Sequence, residues 1–471
     1  MLLGLDLGTG SCKALLLSLE GLVLGQASRT YAVNAPQSGW SESNPLEWWA
    51  AIGAAAREAI GQHSAEVRAI GLSGQMHGTV LCDAVGRPTR DAILWSDGRS
   101  EAVLEPYLAL TPRQLERLGN PIVTGMMGAT LLWCKKFSSF EGLRWALLPK
   151  DWLRFCLTGM FASDPSDASA TLLYDLEQNT WALDVLEQLE LPNLLPELRG
   201  SSTIAGLLTK KAAEHLGLVA GIPVATGGGD TPCAMLGNGI LQAGTAQLSV
   251  GTGAQIIIAR ETATYQANIH CYRTVLEHGY YAMAAMQNAG LALERVRGWL
   301  GLDWAEFHHL AFEVPDSQDL IFLPYLSGER TPHLNPQARG AFLNLGLQHR
   351  QAHLARAALE GVAFSIADGM SALQQTNFEL PALQLVGGGT LEPRWRQLLC
   401  DCLETPLYSS GTSHASARGA ALLAGLAIGT YKNAQETSTM LPSPKLIAEP
   451  ASNLEVTRQA RAKFMAAYTR A

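Results

Sequence analysis

The chain has 471 residues, of which 47% are apolar and 16% are charged. This composition supplies a large core and argues against a disordered chain. A formal net charge of −8 argues against a nucleic-acid-binding coat, because neutralising phosphates needs a basic face. At roughly 100–200 residues per domain, the length predicts two to four domains.

No segment of the sequence is typical of membrane insertion or secretion. The uncharged run at 419–430 is shorter than the roughly 20 residues that span a bilayer. The first apolar run contains Asp6 and has no basic region before it, unlike a secretory signal. Eight scattered cysteines do not form a disulfide framework in so long a chain. We therefore expect no membrane partner and a cytoplasmic location.

The chain opens with an apolar run, a Gly8-Thr9-Gly10 turn and a second apolar run at 14–17. This pattern predicts a β-hairpin. A related pattern recurs at 247–259 around Gly251-Thr252-Gly253. The repeat predicts two related domains, each opening with a glycine-turned hairpin. We place them at residues 1–240 and 241–471.

Strand and helix patterns alternate through both halves, which predicts an α/β fold. The predicted strands are 67–73, 78–82, 224–226 and 383–386, and the predicted helices are 45–60, 289–300, 349–374 and 394–403. Pro45 and Pro393 stand where proline is tolerated, in the first turn of a helix. Residues 435–453, rich in Ser, Thr and Pro, are predicted to form a loop leading to a last helix.

The N-terminal loop is a candidate phosphate site. It matches neither the Walker A nor the Rossmann pattern. Its glycines allow backbone N–H groups to approach an anion, Thr9 and Ser11 add hydroxyl donors, and Lys13 adds a positive charge. Asp6, at the end of the preceding strand, is placed to hold hydrated Mg²⁺ against phosphates. The alternative is a plain hairpin turn.

Gly227-Gly228-Gly229-Asp230 follows another apolar run. Asp230 at such a strand end is a candidate general base for an alcohol, since that role needs a well-placed proton acceptor. The alternative is a turn whose aspartate caps the next helix.

Two further strand ends carry candidate ligand-binding residues. Gly387-Gly388-Gly389 lets a flat ligand approach bare backbone, although a tight connection is the alternative. Gln75, Met76 and His77 form a polar cluster suited to a small-molecule pocket, although a structural histidine is the alternative. Cys400 and Cys402 do not share a helix face, so buried packing is favoured over metal binding.

Taken together, long motifs in a fixed order resemble the FGGY family of carbohydrate kinases over nearly all of residues 1–430. The motifs are 6–14, 71–78, 93–99, 150–159, 166–171, 326–333, 338–342, 360–364 and 387–397. The resemblance implies two actin-like (ribonuclease-H-like) domains with the active site in the cleft between them. It also implies transfer of the γ-phosphoryl group of ATP to a sugar hydroxyl.

The resemblance further implies roles for individual residues. Asp230 matches the catalytic base, and Asp6 matches the carboxylate near Mg²⁺. The positions that match the ATP site are Thr9, Gly10, Ser11, Lys13, Gly251, Thr252, Gly253, Gly387, Gly388 and Gly389. Met76 and His77 match positions that line the ketose pocket. With Gln75 from the same cluster and Asp230, they are the expected sugar-binding residues. Dimers occur in the family, so a homodimer is an expectation, although no segment locates an interface.

Several positions depart from the usual family pattern. Thr231 stands where asparagine is common, and it offers one hydroxyl in place of an amide. The stretch 125–130 replaces a segment that usually carries Phe and a Pro-Lys pair, and Asn344 replaces a glycine. Residues 96–99 also differ slightly. Thr231 and the 125–130 stretch bear on substrate identity.

The expected reaction is phosphorylation of a ketopentose, D-xylulose, to D-xylulose 5-phosphate. D-ribulose, another ketose or a polyol is the alternative acceptor. From another class, an actin- or chaperone-like ATPase shares the glycine-rich phosphate hairpins, but it has no need of Asp230 beside a Gln75-Met76-His77 cluster.

Overall fold

A computed structural model of the chain describes residues 1–374 and 382–469. The strands are β1 (Leu2–Leu7), β2 (Ser11–Leu17), β3 (Val23–Thr30), β4 (Glu42–Ser43), β5 (Ala69–Gly74), β6 (Val80–Cys82), β7 (Ala92–Ile93), β8 (Trp145–Leu147), β9 (Ala162–Ser163), β10 (Tyr174–Asp175), β11 (Thr180–Trp181), β12 (Glu197–Leu198), β13 (Ile204–Leu207), β14 (Pro223–Ala225), β15 (Gly228–Gly229), β16 (Ala246–Val250), β17 (Ala254–Arg260), β18 (His270–Arg273), β19 (Tyr280–Met286), β20 (Ile321–Leu323), β21 (Ala341–Leu343), β22 (Leu383–Val386), β23 (Leu407–Ser409) and β24 (Lys445–Ala448).

The helices are α1 (Pro45–Ile60), α2 (Glu105–Leu108), α3 (Pro112–Leu118), α4 (Met127–Phe137), α5 (Pro149–Thr158), α6 (Pro165–Ala168), α7 (Leu183–Gln188), α8 (Lys210–Leu216), α9 (Asp230–Gly237), α10 (Gly290–Trp299), α11 (Trp304–Ala311), α12 (Gln351–Gln374), α13 (Pro393–Leu403), α14 (Ala415–Ala427), α15 (Ala434–Ser438) and α16 (Glu455–Tyr468). Short 3₁₀ turns cover Ser64–Glu66, Glu101–Val103 and Gly388–Thr390. Where the chain is described, no helix is both long and apolar enough to cross a membrane.

Two seven-stranded sheets form the framework, and six strands of one correspond in order and direction to six of the other. The first sheet has the order β13-β14-β5-β1-β2-β3, with β15 also paired to β5, and the second has β18-β19-β17-β16-β22-β23-β24, in which β18 is an additional edge strand. In the first, β1 pairs antiparallel with β2 and parallel with β5. In the second, β16 pairs antiparallel with β17 and parallel with β22. The hairpins β1–β2 and β16–β17 therefore occupy equivalent places, as the repeated Gly-Thr-Gly pattern predicted.

The predicted elements correspond closely to the observed ones, with one correction. Helix α1 has the predicted bounds, and Asn44 caps it by accepting a hydrogen bond from the Leu46 N–H. The predicted loop at 435–453 is wrong, because this stretch holds the end of α15 and all of β24. Strand β24 pairs antiparallel with β23 at the sheet edge. Its first two residues are exposed, so no hydrophobic alternation marks it in the sequence.

Each sheet has its own apolar core, and helix α14 returns from the second half of the chain to cover the first sheet. Apolar residues of α14 pack with Leu2, Leu15 and Cys233 in one buried cluster. The approach is close, because a Cβ on Gly4 or Gly71 would collide with backbone carbonyls of α14. Two glycines on neighbouring strands thus allow α14 to pack directly against the first sheet.

Candidate functional site

Three cavities lie side by side where the turns of the two hairpins approach each other. The inner cavity, of about 160 Å³, is lined by residues that include Gln75, Met76, His77, Asp230, Thr231 and Arg330. The junction cavity, of about 360 Å³, is lined by Lys13, Asp230, Thr231, Gly387, His414 and Ser416 among others. The hairpin cavity, of about 450 Å³, is lined by Trp95, Gly251, Thr252, Gly253, Gln255 and Arg330 among others.

The predicted sugar-site residues share the inner cavity with Asp230. Gln75 is anchored to the first hairpin through hydrogen bonds from its backbone N–H to the Leu7 carbonyl (2.7 Å) and from Nε2 to the Gly8 carbonyl (3.3 Å). Its buried Oε1 has no partner in the described protein. An unpaired amide oxygen at a cavity wall can accept a hydroxyl of a ligand.

His77 presents a neutral ring to the same cavity. Its Nδ1 lies 2.8 Å from the Ala170 carbonyl, and a carbonyl only accepts, so Nδ1 carries the proton. Burial lowers the pKa of His77 to about 4, which leaves Nε2 unprotonated at neutral pH. His77 therefore offers the cavity an acceptor for an O–H group.

Asp230 is the first residue of α9 and lines both the inner and the junction cavity. Its Oδ1 accepts hydrogen bonds from the Thr231 N–H (2.7 Å) and the Thr231 hydroxyl (3.3 Å). Burial first, and then the negative charge of Asp6, raise the pKa of Asp230 to about 7. A carboxylate with a pKa near the working pH is suited to general-base chemistry.

The three glycines before Asp230 allow its loop to pack tightly. Gly227 has φ +83°, and a Cβ there would lie 2.5 Å from the Leu72 carbonyl oxygen. A Cβ on Gly229 would lie 2.8 Å from Cγ of Met76. The glycines therefore bring Asp230 against the first sheet and against Met76.

One cationic side chain and one helix N-terminus face the junction cavity. Lys13 extends from β2, and the N-terminus of α14 contributes His414 and Ser416 to the lining. A helix N-terminus and a lysine together favour an anion such as a phosphate. Gly387, with φ +98°, faces the same cavity from the second sheet.

Asp6 lies beside this cavity, opposite Lys13 in the β1–β2 ladder. The Ser73 hydroxyl donates to its Oδ1 at 2.9 Å, and burial raises its pKa. No group of three or more His, Cys, Asp or Glu that could hold a metal occurs in residues 1–374 and 382–469. The carboxylate of Asp6 is the kind of ligand that Mg²⁺ takes in proteins, where one or two carboxylates commonly act together with phosphates and water.

The hairpin cavity joins the two halves of the chain. Gly251, Thr252 and Gly253 form one wall, and Trp95 from the first half forms another. Trp95 donates from Nε1 to the Thr9 hydroxyl at 2.9 Å. The Arg330 guanidinium stands over the Trp95 ring, 5.4 Å from its centroid, and lines both this cavity and the inner one.

The predicted ATP-site residues do not all share one cavity. Thr9 lines the inner cavity, and the second Gly-Thr-Gly turn lines the hairpin cavity. Gly10, Ser11, Gly388 and Gly389 line none of these three cavities, judged on the described residues. The last two glycines form a 3₁₀ turn directly after Gly387.

Sequence reasoning missed several lining residues. Trp95, Gln255, Arg330 and His414 were not predicted site residues, although Trp95 and Arg330 belong to family motifs. Of the divergent positions, Thr231 and Met126 line the inner cavity. Asn344 has φ +62°, a left-handed conformation that glycine adopts freely and asparagine tolerates. That backbone geometry accounts for the exchange.

Comparison with known proteins agrees with the geometry. A profile of the FGGY family of carbohydrate kinases, N-terminal domain, matches residues 1–237, and the C-terminal domain profile matches residues 246–428. The xylulose kinase of Escherichia coli (strain K12) is 36% identical over 94% of this chain and 93% of its own length. That of Klebsiella pneumoniae is 35% identical over 94% and 93%.

Among solved structures, a xyloylose kinase from Brucella ovis superposes with a TM-score of 0.93. It is 32% identical and covers 100% of this chain and 99% of its own. These matches confirm the predicted two-domain, actin-like α/β fold and an ATP-dependent transfer to a sugar. The chain belongs to the FGGY family of carbohydrate kinases.

Proposed function

We propose that this kinase phosphorylates D-xylulose at its 5-hydroxyl, with Asp230 as the general base. The observation that carries the proposal is the position of Asp230, which lines both the inner and the junction cavity. A sugar beside Gln75, Met76 and His77 and a triphosphate beside Lys13 and Gly387 would meet at this carboxylate. The names of the relatives supply the choice of sugar.

Asp230 accepts the proton at Oδ2. Its other oxygen, Oδ1, is occupied by two donors from Thr231, which also fix the orientation of the carboxylate. As the sugar oxygen forms its bond to the γ-phosphorus, the bond from that phosphorus to the β–γ bridging oxygen breaks and ADP leaves. The hydroxyl proton passes to Asp230, and the remaining task of the protein is positioning and charge neutralisation.

The phosphates are neutralised by groups of this chain on either side of the junction cavity. Lys13 and the N-terminus of α14 face it from one side, and the Gly251-Thr252-Gly253 turn borders the adjoining hairpin cavity. Asp6 would hold Mg²⁺, directly or through water. Mg²⁺ held there would supply positive charge that offsets the charge of the phosphates.

The sugar is oriented by acceptors and enclosed by the second half of the chain. Gln75 Oε1 and His77 Nε2 are free to accept hydroxyls, and Arg330 offers a cation from the opposite wall. Closure of the two halves around the sugar would exclude water and limit hydrolysis of ATP. We propose a cytoplasmic location and a homodimer as well, the latter to be measured by light scattering.

A panel assay tests the proposal. ADP release is measured with Mg²⁺-ATP and D-xylulose, D-ribulose, other ketoses and polyols, for wild type and Asp230→Ala. We expect the fastest turnover with D-xylulose, and a loss of about 10²–10⁴-fold in Asp230→Ala.

Turnover of another sugar, with none of D-xylulose, would show that D-xylulose is not the substrate. It would point to Thr231 and Met126 as the sources of specificity. Thr231→Asn, which restores the residue common in the family, is the variant to compare in that case. ATP hydrolysis that no sugar stimulates would instead support the ATPase alternative.

A further inference from the structure

A fully buried group of charges lies behind the loop that carries Asp230. Lys150 on α5 forms ion pairs with Asp151 (2.5 Å), Asp164 (2.8 Å) and Asp167 (3.3 Å), and all four side chains are completely buried. Burial would lower the pKa of Lys150, but the three carboxylates outweigh it and raise the pKa. These charges touch none of the three cavities, so the reaction described above does not account for them.

One ion pair followed by hydrogen bonds connects Lys150 to Gly229, the residue before Asp230. Lys150 pairs with Asp164 Oδ1, and Oδ2 of Asp164 accepts from the Ser166 hydroxyl (2.5 Å) and the Ser166 N–H (2.9 Å). The Ser166 hydroxyl oxygen in turn accepts the N–H of Gly229 at 3.2 Å. Gly229 is the N-cap of α9, whose first residue is Asp230.

A second arm holds the start of the same loop. The Arg154 guanidinium donates from Nη1 to Asp151 Oδ1 (2.9 Å) and to the Thr226 carbonyl (2.8 Å). Thr226 immediately precedes Gly227-Gly228-Gly229. Both ends of a glycine loop, which has little stiffness of its own, are therefore tied to one buried charge network.

We propose that Ser166 is a positioning residue for the phosphoryl transfer, held in place by Asp164 and Lys150. It acts by fixing the Gly229 N–H, and through it the first turn of α9 and the Asp230 carboxylate. The role rests on the proposed function of Asp230 as base. It also gives a reason for two motifs that line none of the three cavities, the 150–159 and 166–171 segments.

The chain offers a matched control in Ser201. Its hydroxyl also donates to Asp164 Oδ2, at 2.7 Å, and it too is buried. Its side chain makes no hydrogen bond to Gly229, whereas its backbone carbonyl accepts from the Gly227 N–H at 3.0 Å. Ser166→Ala and Ser201→Ala therefore each remove one donor to the same carboxylate, but only Ser166→Ala releases Gly229.

Both variants are assayed with Mg²⁺-ATP and the sugar that gives the fastest ADP release in the panel. We expect Ser166→Ala to lower kcat by about tenfold or more, because a small displacement of a reacting group is costly. Its KM for ATP should stay within about twofold, since the lost contact acts on the chemical step. Ser201→Ala should keep kcat within about twofold of wild type.

Hydrogen–deuterium exchange provides a second readout that activity does not bias. The peptide containing Gly229 should exchange faster in Ser166→Ala than in Ser201→Ala or wild type. If Ser166→Ala does not fold, Ser166→Cys, whose thiol is a weaker hydrogen-bonding group, should show the same two changes.

Equal kcat values in the two serine variants, or unchanged exchange at Gly229, would overturn the positioning role. A wrong assignment of Asp230 as the base would give a different result. Asp230→Ala would then keep its turnover, whatever the serine variants do.

Discussion

At the scale of single residues, Asp230 combines a catalytic demand with a stability cost. Its carboxylate is partly buried on the wall of two cavities and stands in the field of Asp6, and the two effects raise its pKa to about 7. An ionised Asp230 is therefore less favourable in the folded chain than in the unfolded chain, where its pKa is about 3.9. Two predictions follow from this shift, one for rate and one for stability.

The rate of sugar phosphorylation should depend on one ionisation close to neutrality. Only the deprotonated carboxylate accepts the hydroxyl proton, so kcat/KM for the sugar should fall with an acid limb near pH 7. Asp6→Asn should move this limb to lower pH, because it removes the neighbouring negative charge. An unmoved limb in that variant would assign the ionisation to another group.

Asp230→Asn should lose turnover and gain stability. The folded state is penalised as pH rises from about 4 to about 7, where Asp230 ionises in the unfolded chain first. The variant removes this penalty, so its Tm should exceed that of wild type at pH 8 and by less at pH 5.5. For an unfolding unit of about 150–250 residues, the expected gain is about 2–4 °C for each kcal/mol of penalty removed. A lower Tm at pH 8 would contradict the buried-charge account.

At the scale of elements, helix α14 links the phosphate site to the first sheet. Its N-terminus borders the junction cavity, while its apolar side packs on β1, β2 and α9. The close packing of α14 on the first sheet requires Gly4 and Gly71, since a Cβ on either would collide with a carbonyl of the helix. A displaced α14 would therefore change both the stability of the chain and the binding of phosphates.

Gly71→Ala should destabilise the protein by about 1–3 kcal/mol, the usual cost of forcing extra atoms into a packed core. It should also raise the KM for ATP. Gly298→Ala is the control, because Gly298 lies exposed within α10 with open space around its Cβ position. That change should stabilise by up to about 1 kcal/mol through helix propensity. Urea unfolding measures the stabilities of the two variants. Equal stabilities would disprove the close packing of α14 on the first sheet.

At the scale of the whole molecule, Arg330 and Trp95 connect the two halves across the cavities. Trp95 reaches Thr9 in the first hairpin turn, and Arg330 stands over the Trp95 ring while lining the inner cavity. Burial lowers the pKa of Arg330, but an arginine remains charged at neutral pH. The Arg330 guanidinium is therefore placed to contact a sugar bound in the inner cavity.

Arg330→Met should lower kcat/KM for the sugar by about 10–150-fold, the equivalent of losing one hydrogen bond from a charged donor. Arg330→Lys keeps the charge and should lose less, although it cannot reproduce the planar fork. Steady-state kinetics on the preferred sugar makes the comparison. If methionine and wild type perform alike, Arg330 makes no productive contact with the substrate.

The sequence alone determined much of the framework. Local sequence patterns specify hairpins and the alternation of strands and helices. For that reason β1–β2, β16–β17 and α1 were predicted closely. The clusters at strand ends could also be recognised in the sequence, because glycines and polar residues interrupt the apolar runs there. Gln75, Met76, His77 and Asp230 were predicted to act together, and they do share the inner cavity.

Only the tertiary structure decided which distant residues complete that cavity. Trp95, Gln255 and Arg330 reach it from separate elements, and α14 reaches the first sheet from the far end of the chain. Such contacts depend on how two sheets and a returning helix pack, which no local period encodes. The pKa of Asp230 is of the same kind, because burial and the charge of Asp6 exist only once the chain has folded around them.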